Sequence, residues 1–131
     1  MPLVRIPTTG AQLIASAQVV QRRQLTIAAG AAITPLQALE LQINNLPNVF
    51  IWLEQTAGAN GIAFSPYFAV DNINVAGAVR PNWLQLAPSS AIALGVPTFF
   101  NLRIVGNMIT LGIDNPTLSA ATLQVVVGAS Q

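Results

Sequence analysis

Hydrophobic and polar residues alternate with a period of two in several short runs of this chain, a pattern typical of β-strands with one buried face. The clearest runs lie in Phe99–Ile113 (FFNLRIVGNMITLGI), on either side of Gly106-Asn107. A Gly-Asn dipeptide suits a two-residue turn because both residues tolerate positive φ. The sequence therefore predicts a β-hairpin around which the domain is organised. Its inner pairs would be Phe100–Ile113, Leu102–Leu111 and Ile104–Ile109, with Asn101 and Arg103 on the outer side.

Three further runs show the same alternation: Gln24–Ala29, Gln37–Ile43 and Thr117–Gly128. The second run has two interpretations, because Gln, Ala, Leu and Glu also favour a helix. Its period of two and the Asn- and Pro-containing turn at 44–48 favour a strand. We therefore predict a strand there.

The run Val49–Glu54 (VFIWLE) is apolar on both faces. A strand of this kind is either sandwiched between layers or lies at a subunit interface. The face that carries Phe50 and Trp52 is therefore a candidate interface. Trp52 has an alternative interpretation as a platform on which a sugar ring stacks.

The strand signals number about eight to ten, with turns every ~8–12 residues and no convincing amphipathic helix. This spacing predicts an all-β fold, a single-domain β-sandwich of jelly-roll type. Strands of uneven length with proline-broken connections favour two sheets over an even barrel. Ser65-Pro66 interrupts one strand, and its proline indicates an edge or a bulge.

Residues 1–10, with Pro2, Pro7 and Gly10, predict an extended N-terminal arm ahead of a β-sandwich domain at 11–131. The arm is either a frayed terminus or a segment that docks on a neighbour. Arg22-Arg23 marks an exposed bend or edge strand, where charge discourages stray pairing; a phosphate or acidic-partner site is the alternative. The candidate interface residues are Pro2, Leu3, Val4, Arg5, Ile6, Pro7, Arg22, Arg23, Phe50 and Trp52.

Charge is scarce: 7% of residues are charged and 53% are hydrophobic, whereas about 25% charged residues is typical. The net charge is +1, and the basic residues are all arginine. Such a balance argues against nucleic-acid or anionic-membrane binding, which needs several phosphate contacts. The low charge reflects either a lineage bias in composition or a surface buried against other subunits, where charged residues are depleted.

Residues for catalysis are few, since the chain has neither histidine nor cysteine. Glu40 and Glu54 flank the turn at 44–48, and two opposed carboxylates could form a glycosidase pair. Each also fits a solvated position on the outer side of a strand. Asp71–Asn74 lacks the alternating acids and final Glu of a calcium loop. We therefore expect a protein that is not an enzyme and that needs no metal or cofactor.

The longest uncharged run, 81–102, has the length of a membrane helix. Pro81, Pro88 and Pro97 exclude a continuous helix there. Ala15-Ser16-Ala17 resembles a signal-peptidase site but follows no apolar core. We therefore expect a protein made in the cytoplasm, without membrane partners.

A short, cysteine-free, sparsely charged all-β chain resembles the small decoration (cement) proteins of tailed DNA bacteriophages. The features that carry the resemblance are the arm at 2–10, the segment FFNLRIVGNMITLGI and the apolar tail TLQVVVGAS. The resemblance implies a jelly-roll or related β domain on the capsid exterior of a virion. It also implies binding to the major capsid protein, and self-association as a dimer or trimer.

Two other classes compete with this interpretation. A coat protein of small RNA phages has a similar length, but it would need C-terminal helices and a basic RNA-binding face. A carbohydrate-binding, lectin-like β-sandwich would use Trp52 or Trp83 with neighbouring amides. It predicts an exposed aromatic ring beside Asn or Gln, whereas both tryptophans fall inside strand patterns.

Overall fold

The computed structural model describes residues 17–104 and 106–131. These residues form eleven β-strands and one short 3₁₀ helix, Gln37–Leu39, which confirms the all-β prediction. The predicted arm at 1–10 lies outside the described residues. The strands are β1 (Val19–Ile27), β2 (Leu41–Gln42), β3 (Asn48–Ala57), β4 (Ala63–Ala69), β5 (Asn72–Val75), β6 (Ala78–Pro81), β7 (Leu84–Gln85), β8 (Ser90–Ala91), β9 (Thr98–Arg103), β10 (Met108–Asp114) and β11 (Ala121–Ser130).

The strands form two antiparallel sheets and a separate hairpin. Sheet 1 has the order β1-β11-β3-β9; sheet 2 has the order β2-β10-β4-β7, with β8 also on β4; β5 and β6 pair only with each other. If β5, β6 and β8 are set aside and the other strands renumbered in chain order, the sheets read 1-8-3-6 and 2-7-4-5. This is the order of a jelly roll, which two Greek keys generate. The predicted sandwich and its jelly-roll type are confirmed.

The core lies between the inner faces of the two sheets. Leu123, Val125 and Val127 of β11 alternate into it, as the sequence predicts. Across the core, the rings of Phe64 on β4 and Phe100 on β9 meet edge to face, with centroids 6.1 Å apart. The inner faces also include Val49, Ile51 and Leu53 of β3 and Ile109, Leu111 and Ile113 of β10.

The predicted β9–β10 hairpin is wrong, although its inner and outer faces are right. Leu102 on β9 pairs with Val49 in sheet 1, and Leu111 on β10 pairs with Pro66 in sheet 2. The chain thus crosses from one sheet to the other between β9 and β10. Alternation determines which side chains of a strand face the core. It does not determine whether two such strands pair side by side in one sheet or lie opposite each other in two stacked sheets.

Two other strand predictions need correction. The segment 37–43 is a 3₁₀ turn followed by the two-residue strand β2, and Leu39 and Ile43 are nevertheless buried. Arg22 and Arg23 lie within one continuous edge strand, β1, so the predicted edge is right and the bend is wrong.

Strand β4 runs through Ser65-Pro66 without interruption. Along one of its edges, the neighbouring chain is interrupted instead and forms two short strands, β7 and β8. Strand β7 pairs with Tyr67 and Phe68, and β8 pairs with Ala63 and Phe64. The proline, which lacks an N–H, therefore lies opposite the gap between these two short strands.

Candidate interaction surface

The outer face of sheet 1 is the surface on which the predicted interface residues meet. It consists of the side chains of β1, β11, β3 and β9 that alternate away from the core. Paired residues of adjacent strands share a face, so the register identifies its members. They include Val20, Arg22 and Gln24 of β1, Gln124 and Val126 of β11, Phe50, Trp52 and Glu54 of β3, and Phe99, Asn101 and Arg103 of β9.

One row of this face joins two of the predicted residues. Arg22 pairs with Val126, which pairs with Trp52, which pairs with Phe99. Arg22 and Trp52 are thus separated by two strand spacings, ~10 Å, although thirty positions apart in the chain. Sequence patterns alone did not indicate that β11 would lie between them.

Phe50 lies on the same face but is fully buried. Its ring rests on Gly128, where a Cβ would clash with it and would lie 2.8 Å from the carbonyl oxygen of Val19. Phe50, Val126, Trp52 and Ala17 form a small apolar cluster separate from the main core. Phe50 therefore supports Trp52 from beside it and does not itself present a contact surface.

Beside Trp52, the outer face is concave, with a volume of about 440 Å³. The side chains of Arg22, Gln24 and Gln124 are exposed at this depression. The depression is lined by Arg22, Arg23, Gln24, Trp52, Gln124, Val125 and Val126.

Arg23 belongs to the opposite side of β1 from Arg22, since it pairs with the inward-facing Val125. It is nevertheless exposed, because β1 is an edge strand. A charge that points inward at an edge hinders the addition of another strand. Arg23 therefore protects the edge of sheet 1.

The carboxylates do not form a catalytic pair. Glu54 lies on the outer face of sheet 1, whereas Glu40 follows the 3₁₀ turn and forms an ion pair with Arg80. A second contact joins Arg80 Nη1 and Glu40 Oε2 at 3.4 Å. Glu54 belongs to β3 of sheet 1, whereas Glu40 lies outside the strands, directly before β2 of sheet 2.

No group of three or more metal-ligating side chains occurs within residues 17–104 and 106–131. In the segment considered as a calcium loop, Asp71 lies just before strand β5, and residues 72–74 belong to that strand. The helical structure of the described residues is the three-residue turn at 37–39, and it cannot span a membrane. The candidate contacts Pro2, Leu3, Val4, Arg5, Ile6 and Pro7 lie outside the described residues.

Sequence reasoning missed the exposed apolar residues of the β5–β6 hairpin. Ile73, Val75 and Val79 flank the turn Ala76-Gly77, and this alternation around a glycine was the available signal. The ten large hydrophobic side chains exposed within the described part of the chain are Val20, Val70, Ile73, Val75, Val79, Leu84, Leu94, Val96, Phe99 and Leu118.

No protein-family model matches the chain, and no curated protein matches its sequence. The fold is similar to that of the Yersinia pseudotuberculosis-derived mitogen, with a TM-score of 0.50 and 10% sequence identity over 86% of this chain and 87% of that one. This likeness concerns the β fold alone.

Two further solved structures overlap the chain less closely. The pili of Bacillus endospore appendages give a TM-score of 0.39 and 13% identity, covering 86% of this chain and 88% of that one. The VP2 subviral particle of infectious bursal disease virus gives a TM-score of 0.43 and 12% sequence identity, covering 86% of this chain. The chain spans about a third of that viral protein, 33% of its length.

Proposed function

We propose that this chain is a non-enzymatic structural protein of a virion, which decorates the outside of a phage capsid by binding the major capsid protein and copies of itself. The observation that carries the proposal is the outer face of sheet 1. Trp52, Val126 and Phe99 form an apolar row there, flanked by amide side chains and only three charged residues, Arg22, Glu54 and Arg103.

The chemistry of this face suits a protein partner. Amides form hydrogen bonds across an interface without the desolvation cost of burying an ion. Tryptophan and phenylalanine supply large contact areas and are enriched at interfaces, and arginine is favoured over lysine there. The arrangement suits adhesion to a protein partner.

The size of the face indicates that it does not act alone. Four strands at ~4.8 Å spacing and nearly 30 Å long present on the order of 500 Å². A stable interface takes about 800 Å² from each partner. The remaining area would come from the N-terminal arm at 1–10, which reaches about 33 Å if extended, and from neighbouring copies of the chain.

The first test is binding to isolated phage capsids that lack the chain, measured by co-sedimentation. We expect Trp52→Ala, and separately deletion of residues 1–10, to weaken binding at least tenfold. The control is Trp83→Ala, which should leave binding within about twofold, because Trp83 lies between β6 and β7, outside sheet 1. Truncation of a central aromatic residue commonly costs that much affinity. Binding should also change little with salt, because few ion pairs contribute.

Thermal melts of each variant show whether its domain remains folded. Unchanged capsid binding by both the folded Trp52→Ala variant and the deletion variant would contradict the proposal.

A carbohydrate-binding function is the second candidate, and the position of Trp52 favours it. Trp52 is half-buried on an open face beside Gln24 and Gln124, where a ring could stack on a sugar and amides could bind its hydroxyls. Retention on an array of neutral glycans, lost in Trp52→Ala, by a chain that is monomeric and binds no capsid, would select this function over the first.

A further inference from the structure

The chain enters β1 from the outer side of sheet 1. Side chains alternate along a strand, so a straight extension of β1 would turn Ala17 to the inner side, where Val19 packs on the main core. The backbone bends at Gln18 instead. As a result, Ala17 packs on the outer face, against the cluster of Phe50 and Val126.

The burial of Phe50 shows that this part of the outer face is covered. The ring rests on Gly128, and the side of the ring that points away from the sheet would meet solvent unless other atoms lay over it. Phe50 is nevertheless fully buried. Ala17 is the apolar residue from outside the strands that packs against it in the described part of the chain. One methyl group covers little of a phenyl ring, so the residues that directly precede Ala17 are the ones placed to cover the rest.

The depression beside Trp52 continues from the point where Ala17 lies. Trp52 and Val126 belong both to the apolar cluster of Ala17 and to the lining of the depression. The lining also includes the exposed amides of Gln24 and Gln124. With a volume of about 440 Å³, the depression is a seat with an apolar floor and hydrogen-bonding sides.

The chain just before Ala17 has the length to reach this seat. Ile14 and Leu13 lie three and four positions before Ala17, which is about 10–14 Å of extended chain. The step from Phe50 to Trp52 along β3 is two residues, or ~7 Å. Both apolar side chains can therefore reach the indole ring from the position of Ala17.

The chemistry of residues 11–16 (AQLIAS) also suits the seat. The segment contains no charged residue, so its burial leaves no ion without a partner. Leu13 and Ile14 offer apolar surface to the indole ring, and Gln12 offers an amide to those along the sides of the depression.

We infer that residues 11–16 occupy the depression beside Trp52 of their own copy, with Leu13 and Ile14 against the indole ring. The position of Ala17 selects the same copy over a neighbour, because a segment tethered on this face has a far higher effective concentration than one supplied by another molecule. For the proposed function, on which this step rests, the inference adds a regulation. The segment has to leave the face before a capsid protein binds there.

The test measures the exposure of Trp52 by acrylamide quenching of its fluorescence. The full chain carries Trp83→Phe, so that Trp52 is its one tryptophan. We expect the double variant Leu13→Ser/Ile14→Ser to raise the quenching constant at least twofold, because the segment no longer covers the ring. An unchanged quenching constant would overturn the inference.

Two controls exclude a general loosening of the fold. Leu3→Ser/Val4→Ser removes similar apolar side chains from residues 1–10 and should leave the quenching of Trp52 unchanged. In a chain with Trp52→Phe, where Trp83 is the reporter, the substitutions at positions 13 and 14 should have no effect. An equal rise in quenching at Trp83, or in the control double variant, would overturn the inference.

A mixing experiment distinguishes the segment of the same copy from that of a neighbour. A chain without tryptophan, Trp52→Phe/Trp83→Phe, keeps its segment and is added in excess to the Leu13→Ser/Ile14→Ser reporter chain. We expect quenching of Trp52 to stay high. A return to the lower quenching constant would show that another copy supplies the segment, and would overturn the inference.

Capsid binding tests the proposed function separately, since quenching is measured without capsids. The Leu13→Ser/Ile14→Ser chain keeps residues 1–10 and should bind isolated capsids at least threefold more tightly, because no segment has to leave. Shielding of Trp52 in a chain that binds no capsid would contradict the proposed function alone. Capsid binding through a Trp52 whose quenching does not respond to positions 13 and 14 would contradict this inference alone.

Discussion

The two sheets of the sandwich differ in what covers their outer faces. In sheet 1, β1, β3 and β11 have nine or ten residues each, and the described residues leave the outer face open around Trp52. In sheet 2, β10 and β4 have seven residues each, and the flanking strands have two. The chain covers the outer face of the shorter sheet with its own loops. On the outer face of the longer sheet, Phe50 and Val126 are buried, whereas Arg22, Gln124 and Phe99 are exposed.

The covered face of sheet 2 is visible at Gly112. A Cβ there would lie 2.8 Å from Ile33 Cγ2 and 2.9 Å from Tyr67 Cε2, so the residues that precede the 3₁₀ turn lie over β10. Nearby, Thr110 is fully buried and its Oγ1 donates to the Leu36 carbonyl oxygen at 2.6 Å. A polar residue on the outer side of a strand thus becomes part of the interior.

The largest expected effect concerns the inner and outer faces of sheet 1. Leu102→Asp places an unpaired charge against the core and should cost several kcal/mol, enough to abolish folding. The adjacent Arg103→Gln, on the exposed outer face, should cost under about 1 kcal/mol. Denaturant melts of the isolated chain measure both, and an equal loss in the two variants would show that the faces of β9 are wrongly assigned.

An intermediate effect separates the covered outer face from the open one. Gly112→Ala overpacks the contact with Ile33 and Tyr67 and should destabilise the fold by about 1–3 kcal/mol. Asn101→Ala, on the open outer face of sheet 1, should change the free energy of unfolding by less than about 0.5 kcal/mol. Urea melts of the two variants provide the measurement. The comparison between the sheets fails if Gly112→Ala is as mild as Asn101→Ala.

The smallest effect compares the two glutamates. Glu40→Gln removes the ion pair with Arg80, whose side chain is 34% exposed, and should cost about 1 kcal/mol or less. Glu54→Gln, on the outer face of sheet 1, should cost about 0.5 kcal/mol at most. Thermal melts of the two variants measure this difference as a difference in melting temperature. Added salt should make it smaller, because solvent ions screen the ion pair between Glu40 and Arg80. A larger loss in Glu54→Gln would indicate an ionic partner on the face described as open.

Sequence patterns predicted the candidate surface only in part. The two apolar faces of 49–54 correctly indicated that Trp52 and Phe50 lie on a second face, and the doublet Arg22-Arg23 correctly indicated an edge. The patterns did not show that Phe50 is buried against Gly128, since this contact joins residues far apart in the chain. The exposed apolar residues of the β5–β6 hairpin were also missed, because its strands are four residues each and too short for a clear period.

By itself, the sequence determined the fold class and the side of each long strand that faces the core. These properties are local, because alternation along one strand decides which side chains face the core. Only the tertiary structure decided the strand partners. Residues Leu102 and Leu111 satisfy their alternation equally well in a hairpin or in two stacked sheets, and the jelly-roll order selects the second. That same order places Arg22, Val126, Trp52 and Phe99 in one row, since it inserts the last strand between the first and the third.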